Sequence, residues 1–442
     1  MTEVSSTLHV STTPHSAVPS PQRSLSAWLE YLERLHPKTI ELGLERVSQV
    51  KNRLQLDPAF PIITVGGTNG KGSTCAMLEA ILVAAGYKSG LYTSPHLLRY
   101  NERVRIAGQE VSDHALCEAF AAVEAARGEI SLSYFEFGTL AAIWLFQRQQ
   151  VDVAILEVGL GGRLDAVNAF DADCAIVTSV DLDHMDYLGD NREIIGWEKA
   201  GIFRAGKPAV CSDASPPHRL LEHAGQIGTR LKLINKDFFA RPESSQWQFA
   251  SHVGWHLSLP FPALRGTYQL DNASACIAAL EMLRERLPVT PDDIRRGLLE
   301  AVVPGRFQVL PGRPAVILDV AHNPHAARAL AANLRQMGQS GRTLAVFAML
   351  ADKDVSGVVA ALQDVIDLWL VSGIDHPRGM EAEELATHVG DAAHQVFPDI
   401  AAAYRHACQI AGEDDRIVAF GSFHTVAEIM QQLRPTFSST SA

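Results

Sequence analysis

What the chain has little of narrows its chemistry first. Its six cysteines, Cys75, Cys117, Cys174, Cys211, Cys276 and Cys408, are scattered and form no CxxC pair. Neither a zinc knuckle nor a disulfide framework is therefore indicated, and reduced thiols point to the cytoplasm as the expected location. No apolar run reaches the length of a membrane span, so no membrane partner is expected. Basic residues are in the minority, 38 Lys and Arg against 50 Asp and Glu, for a formal net charge of -12. That balance argues against a nucleic-acid partner, because affinity for a phosphate backbone needs a basic surface. A basic cleft for a small anion stays compatible with it. Residues 1–22 are rich in Ser, Thr and Pro and lack an apolar h-region, which predicts a disordered tail rather than a signal peptide.

At 442 residues the chain exceeds one ordinary core, so two domains are expected. Leu25, Trp28, Leu29 and Leu32 recur at helical spacing and predict an opening amphipathic helix. Short apolar runs at Pro61–Val65, Val151–Leu156, Cys174–Thr178, Val316–Leu318, Leu344–Phe347 and Ile417–Phe420 alternate with helical patterns. The alternation predicts an open, largely parallel α/β sheet in each half. Pro304 and Gly305 suggest a hinge, giving expected limits of 23–301 for the first domain, 302–308 for the linker and 309–442 for the second. The polar residues that look chemical fall just after the β runs. That is the carboxyl edge, where open α/β sheets bind ligands.

Gly66-Gly67-Thr68-Asn69-Gly70-Lys71-Gly72-Ser73 follows a predicted strand and opens a helix expected over Ser73–Ala85. Glycines let backbone N–H groups converge on phosphate oxygens, and the helix N-terminus adds a favourable field. Lys71 brings a mobile positive charge, and Ser73 or Thr74 a hydroxyl for phosphate or magnesium. The plain alternative, a glycine-rich turn with a solvated lysine, does not account for the strand-loop-helix setting. The spacing departs from the common P-loop: Val65 stands in place of the first Gly, and Gly72 intrudes between Lys71 and Ser73. A second stretch, Glu157-Val158-Gly159-Leu160-Gly161-Gly162-Arg163-Leu164-Asp165-Ala166, fails as a dinucleotide fingerprint because Leu164 occupies its last glycine position. Guanine specificity is likewise unsupported, since Asn235-Lys236-Asp237-Phe238 has Phe where NKxD needs Asp.

Both stretches resemble folylpolyglutamate synthases, and the phosphate loop resembles that of muramyl-peptide ligases as well. Further matches are Tyr92-Thr93-Ser94-Pro95-His96, Asp183-His184, Glu198-Lys199-Ala200-Gly201-Ile202-Phe203, Pro304-Gly305-Arg306-Phe307, Asp319-Val320-Ala321-His322-Asn323-Pro324 and Gly421-Ser422-Phe423-His424, across residues 24–433. Thr39 to Leu44 and Leu132 to Gly138 resemble the bacterial bifunctional type, which also makes dihydrofolate. The resemblance implies an N-terminal P-loop-type, mainly parallel sheet ATPase domain and a smaller C-terminal Rossmann-like α/β domain that acts as the glutamate ligase. It implies ATP and two Mg2+ as cofactors, and dihydropteroate, reduced folates and L-glutamate as substrates. A monomer is expected.

Residue by residue, the resemblance implies that Asn69, Gly70, Lys71, Gly72, Ser73, Thr74, Asn272, Arg306 and Asp319 bind ATP. Ser94, Glu157, His184 and a carbamylated Lys199 would hold metal. Ile40, Glu41, Leu42, Ser133, Tyr134, Phe135, Asp165 and Ala166 would hold the pterin substrate. Lys71, Lys199, His322 and Ser422 would be catalytic, with His424 assisting. The alternatives are a folylpolyglutamate synthase without the dihydropteroate activity, or a muramyl-peptide-type ligase. The latter is disfavoured by the folate-type sequence from Glu157 to Ala166.

Overall fold

Each of the six apolar runs forms a strand, and the reason is burial on both faces. The computed structural model describes residues 24–437 apart from 39, 253, 267, 339 and 340; the tail expected at residues 1–22 lies outside the described residues. The first sheet contains β1 (Ile62–Gly66), β2 (Ser89–Tyr92), β3 (Val104–Ile106), β4 (Gln109–Glu110), β5 (Val153–Glu157), β6 (Cys174–Val177), β7 (Pro208–Cys211) and β8 (Arg230–Leu233). Their order is β4-β3-β2-β5-β1-β6-β7-β8, parallel throughout except for β3 and β4 at one edge. Alternate residues of β5 face opposite sides: Ala154 and Leu156 join the core under Trp28, Phe120 and Phe137, while Val153 and Ile155 join the core under Ile81, Cys276 and Leu298. A strand covered on both faces needs apolar residues at every position, which is why these runs are continuous rather than alternating.

The opening helix spans Leu25–Leu35 and buries Trp28 and Leu32. The helix of the phosphate loop runs Lys71–Ala84. It starts two residues before the expected Ser73, because Gly70 turns left-handed (φ +89°) and serves as its N-cap.

A small antiparallel sheet of β9 (Phe238–Pro242), β10 (Trp247–Ser251) and β11 (His256–Leu259) was not anticipated. Its strands mix polar and apolar positions, so no long apolar run announces them. Trp247 and Phe249 turn inward while Gln248 is exposed. Glu281 anchors the sheet from the helix Tyr268–Met282, accepting hydrogen bonds from Ser251 Oγ (2.7 Å), Trp255 N (2.6 Å) and Lys232 Nζ (2.8 Å).

The third sheet holds β12 (Gln308–Leu310), β13 (Ala315–Leu318), β14 (Thr343–Phe347), β15 (Leu368–Ser372), β16 (His394–Phe397) and β17 (Arg416–Phe420), ordered β12-β13-β17-β14-β15-β16. All pairs are parallel except β12 with β13. Helices cover both of its faces as well. The chain passes from the first region to this sheet through residues 301–307, between the helix Pro291–Glu300 and β12. Phe307 N donates to Asp319 Oδ2 (2.9 Å) and Val320 N donates to Gly305 O (2.9 Å), so the connection is tied to the end of β13. No helix of the described residues is long and apolar enough to cross a membrane.

Candidate active site

The carboxyl edges of the two large sheets face one cavity of about 1050 Å³. On the first sheet the strand order reverses around β1, the position where open α/β sheets leave a crevice. The phosphate loop leaves β1 there. Gly67 has φ +143°, and a Cβ on it would collide with the hydroxyl of Thr178, just past β6. Thr178 Oγ1 and Ser179 Oγ donate to Asn69 O (2.6 and 3.2 Å), and Thr68 N donates to Ser179 O (2.7 Å), so the loop is held from behind. Lys71 Nζ folds back on Gly67 O (3.1 Å) and Thr68 O (3.2 Å). Asn69, Gly70, Lys71, Gly72, Ser73, Asn272, Arg306 and Asp319 all line the cavity. Thr74 does not. Its side chain is fully buried and its carbonyl receives the Cys276 thiol (3.4 Å), so helix geometry turns it to the core rather than to the loop.

Glu157 ends β5 inside the cavity and is 4% exposed. Burial pushes its carboxyl above the ordinary value, against the opposing pull of Lys71, the Ser94 N–H, Arg306 and Arg103. Ser94 N donates to Glu157 Oε2 (3.2 Å), which sets Ser94 beside it. His184 stands at φ +51° with Nε2 3.5 Å from Lys353 Nζ, and burial lowers it to about 4, so the ring is neutral. Lys199 is 3% exposed, and its ammonium has no hydrogen-bond partner among the described residues. Burial, then the charge of Lys71, brings it down to about 7. Ser94, Glu157, His184 and Lys199 all border the same cavity.

From the other side come residues placed by the third sheet. His322 follows β13, Lys353 follows β14, Arg378 follows β15, and Ser422 and His424 follow β17; all line the cavity. His322 Nδ1 lies 2.7 Å from Val320 O and donates to it, leaving Nε2 unprotonated and 3.9 Å from Asp183; burial lowers this ring to about 4. Ser422 is buried and accepts from His424 N (3.1 Å). Asp319 accepts from Phe307 N (2.9 Å) and Ala321 N (2.8 Å), and burial raises it to about 6. Asn323 caps the following helix Pro324–Gln336 by accepting from Ala326 N.

The segments expected to hold the pterin lie outside the wall of this cavity, with Phe135 and Asp165 against the far side of Gly159. Ile40, Glu41, Leu42, Ser133, Tyr134, Phe135, Asp165 and Ala166 are absent from the wall of the large cavity, while Gly159, Leu160 and Gly161 belong to it. A Cβ on Gly159 would stand 2.8 Å from Phe135 Cζ and 3.3 Å from Asp165 Oδ2, so the turn separates the two regions by the thickness of a backbone. Asp165 is 3% exposed and accepts from Leu160 N (2.9 Å) and Val167 N (3.0 Å). It shapes the turn, and burial raises it to about 7. Ser133 is the N-cap of the helix Tyr134–Arg148 in a capping box with Glu136. Glu41 is held by His36 Nε2 (2.6 Å) and Arg46 Nη1 (3.3 Å).

Residues 65–280 match the Mur ligase middle domain, and residues 305–423 match the Mur ligase glutamate ligase domain. The dihydrofolate synthase/folylpolyglutamate synthase of Escherichia coli (strain K12) is 48% identical, over 95% of this chain and 96% of its own. The chain belongs to the dihydrofolate synthase/folylpolyglutamate synthase family. A solved structure, E. coli FolC in complex with DHPP and ADP, superposes with a TM-score of 0.91 at 47% identity, covering 95% of this chain and 100% of that one. A bifunctional folylpolyglutamate synthase/dihydrofolate synthase with Mn, AMPPNP and L-glutamate bound gives a TM-score of 0.88 at 48% identity, covering 94% and 99%.

The donors present fit the divalent metal that this family uses with its nucleotide. Among the described residues no three His, Cys, Asp or Glu side chains form a ready metal cage. Magnesium does not need one: it takes one or two protein carboxylates and completes its shell with water and phosphate oxygens. A buried carboxylate, Glu157, with Ser94 beside it and the neutral His184 on the wall of the same cavity, is of that kind. Sequence reasoning missed Lys353, Arg103, Thr178 and His325. Lys353 was within reach, since it too follows a β run. Thr178 and His325 act through contacts with the distant phosphate loop, and Arg103 in part through its contact with Tyr134.

Proposed function

We propose that the protein is an ATP-dependent ligase that joins L-glutamate to dihydropteroate, making dihydrofolate, and to reduced folates, extending their glutamate tail. One observation carries this reading. The phosphate loop with Lys71 and Glu157, and the opposing His322, Lys353 and Ser422, border a single cavity that Gly159, Leu160 and Gly161 also line, with Phe135 close behind Gly159. Such an arrangement accepts a nucleotide, an acid and an amine at one point. The similar structures, solved with ADP and DHPP in one and with L-glutamate in another, support the same three ligands.

In the first step a carboxylate oxygen of the pterin substrate attacks the γ-phosphorus of ATP, ADP departs, and an acyl phosphate remains. Loop amides and Lys71 neutralise the transferring phosphoryl group. Ser94, Glu157, His184 and a carbamate on Lys199 hold the two Mg2+ ions, which supply charge neutralisation for the phosphate oxygens. Asn272, Arg306 and Asp319 hold the nucleoside end. In the second step the amine of glutamate attacks the acyl carbon, phosphate leaves, and the nitrogen gives up a proton. His322, with an unprotonated Nε2, and Ser422 stand on that side. Closure of 309–442 over 23–301 about the linker 302–308 keeps water from the acyl phosphate. Ile40, Glu41, Leu42, Ser133, Tyr134, Phe135, Asp165 and Ala166 form the pterin wall.

The test is incorporation of labelled glutamate, run side by side with dihydropteroate and tetrahydrofolate, with ADP release followed in parallel. Both acceptors are expected to be used, and ADP release is expected to need acceptor and glutamate together. Use of tetrahydrofolate alone would remove the dihydropteroate activity. ADP release indifferent to both would overturn the reading.

A further inference from the structure

The cavity contains a guanidinium that is built into place yet has no acidic partner. Of the other cations of its wall, Arg192 pairs with Asp213 (3.1 Å), Lys353 with Asp183 (2.9 Å) and Arg378 with Asp352 (2.7 Å), while Lys71, Lys199 and Arg306 are assigned above to the phosphate, metal and nucleotide. Arg103 forms no ion pair with any described Asp or Glu. Its guanidinium carbon lies 5.3 Å from the centroids of both the Tyr100 and Tyr134 rings. Its Nε donates to His96 Nδ1 (2.8 Å), and burial with the nearby charge of Arg103 lowers His96 to about 4, so the ring is a neutral acceptor. The neighbouring Glu102 is already engaged by the backbone N–H groups of Leu97 (2.7 Å), Leu98 (2.8 Å) and Arg99 (2.8 Å). Arg103 O accepts from Thr93 N (2.9 Å), which fixes the residue alongside Ser94.

This position joins the two halves of the site. Tyr134 belongs to the proposed pterin wall, and Glu157, whose carboxyl is influenced by Arg103, belongs to the phosphate end. A planar guanidinium held on two aromatic faces keeps its remaining N–H groups aimed for two-point contact with a carboxylate.

The two proposed acceptors differ in just that group. Dihydropteroate has one carboxylate, the one that reacts. A folate ending in glutamate has two, and the one that does not react must rest beside a phosphate-crowded centre. Resting on the ligase reading above, we propose that Arg103 binds the non-reacting carboxylate of the terminal glutamate of the folate substrate, and so sets the preference between the two acceptors.

The experiment compares wild-type protein with Arg103→Ala and Arg103→Lys on three acceptors: dihydropteroate, tetrahydrofolate, and a tetrahydrofolate whose non-reacting carboxylate is a carboxamide. Wild-type protein is expected to favour the carboxylate over the carboxamide by at least about tenfold in kcat/KM, the size of a desolvated charge-assisted contact. In Arg103→Ala that preference is expected to collapse to near unity, and the ratio of kcat/KM for tetrahydrofolate over dihydropteroate to fall about tenfold. Arg103→Lys is expected to fall between. Thermal unfolding of each variant reports its fold, and the carboxylate-to-carboxamide ratio is taken within one protein, so a loss of stability does not move it. Wild-type protein that turns over both natural acceptors but ignores the carboxamide change, or a preference that survives in Arg103→Ala, overturns the role of Arg103 alone. Wild-type protein that ligates neither acceptor overturns the ligase reading with it.

Discussion

Lys353 Nζ lies 2.9 Å from Asp183 Oδ1 across 170 residues of sequence. The lysine belongs to the third sheet and the aspartate to the first, so this ion pair spans the cavity. Both side chains are nearly buried, 8% and 11% exposed. Asn323 Nδ2 donates to Asp183 Oδ2 (3.2 Å), and Asn69 of the phosphate loop reaches Asn323 (3.3 Å) and His325 (2.8 Å). Phosphate loop and third sheet are thus wired together. Burial pushes the Asp183 carboxyl up, but Lys353, His184 and His322 hold it well below the usual carboxylate range.

The first prediction concerns that bridge. Asp183→Asn and Lys353→Met should each lower kcat/KM, and the double variant should lose less than the sum. A coupling of more than ~1 kcal/mol is expected for a buried, directly bonded pair. Strict additivity in a double-mutant cycle would show that the bridge does not serve the reaction.

Lys71→Ala should retain less than about a tenth of wild-type turnover, a loss above ~1.4 kcal/mol. Its ammonium rests on loop carbonyls, so the fold should survive; circular dichroism checks this. A variant with near-normal turnover would leave the loop without a phosphate-neutralising role for Lys71.

Lys199 is buried and has no hydrogen-bond partner among the described residues, the setting expected of an amine that carries a carbamate rather than a free charge. Protein equilibrated with 13C-bicarbonate should show a carbamate carbon signal that is missing in Lys199→Gln. In the same series Glu157→Ala should shift the Mg2+ titration of ADP formation more than it weakens nucleotide binding. Absence of the carbamate signal, or an unmoved titration, would remove the corresponding ligand.

Gly159→Ala tests the wall between the two regions. The added methyl would meet Phe135 Cζ at 2.8 Å, tighter than packed carbons allow, so Phe135 or the turn must shift. Overpacking of this sort costs about 1–3 kcal/mol. KM for the pterin acceptor should rise several-fold while KM for ATP changes less. Equal effects on both would place the strain elsewhere.

Asp173 gives a pH-dependent stability away from the site. Burial raises its carboxyl, but Lys207 (3.0 Å), the Ile62 N–H (3.1 Å) and Arg286 (2.6 Å) outweigh that and leave it below the ordinary value. A depressed carboxyl stabilises the fold above its unfolded pKa of about 3.9, and that contribution is lost as pH falls through the lower folded value. Asp173→Asn should therefore cost about 1 kcal/mol at pH 7, with the gap from wild type closing below about pH 4. Urea unfolding at both pH values measures it; a gap that widens in acid would contradict the sign.

By itself the sequence determined the local chemistry. Continuous apolar runs dictated strands buried on both faces, because only such strands need every side chain apolar. Gly67 and Gly70 dictated the phosphate loop, since their backbone angles exclude other residues. The rule that polar groups follow the runs located Glu157, His322 and Ser422 on carboxyl edges. Tertiary structure alone decided the rest. Thr74 left the site because the helix began two residues early and turned it inward. Asp165 became a buried acceptor of turn amides, and Ser133 a helix cap. The pairing of Asp183 with Lys353, and the approach of Tyr134 to Arg103, join residues that no local pattern relates. Strand periodicity fixes which way a side chain points, but which distant segment it meets depends on how the two sheets face each other.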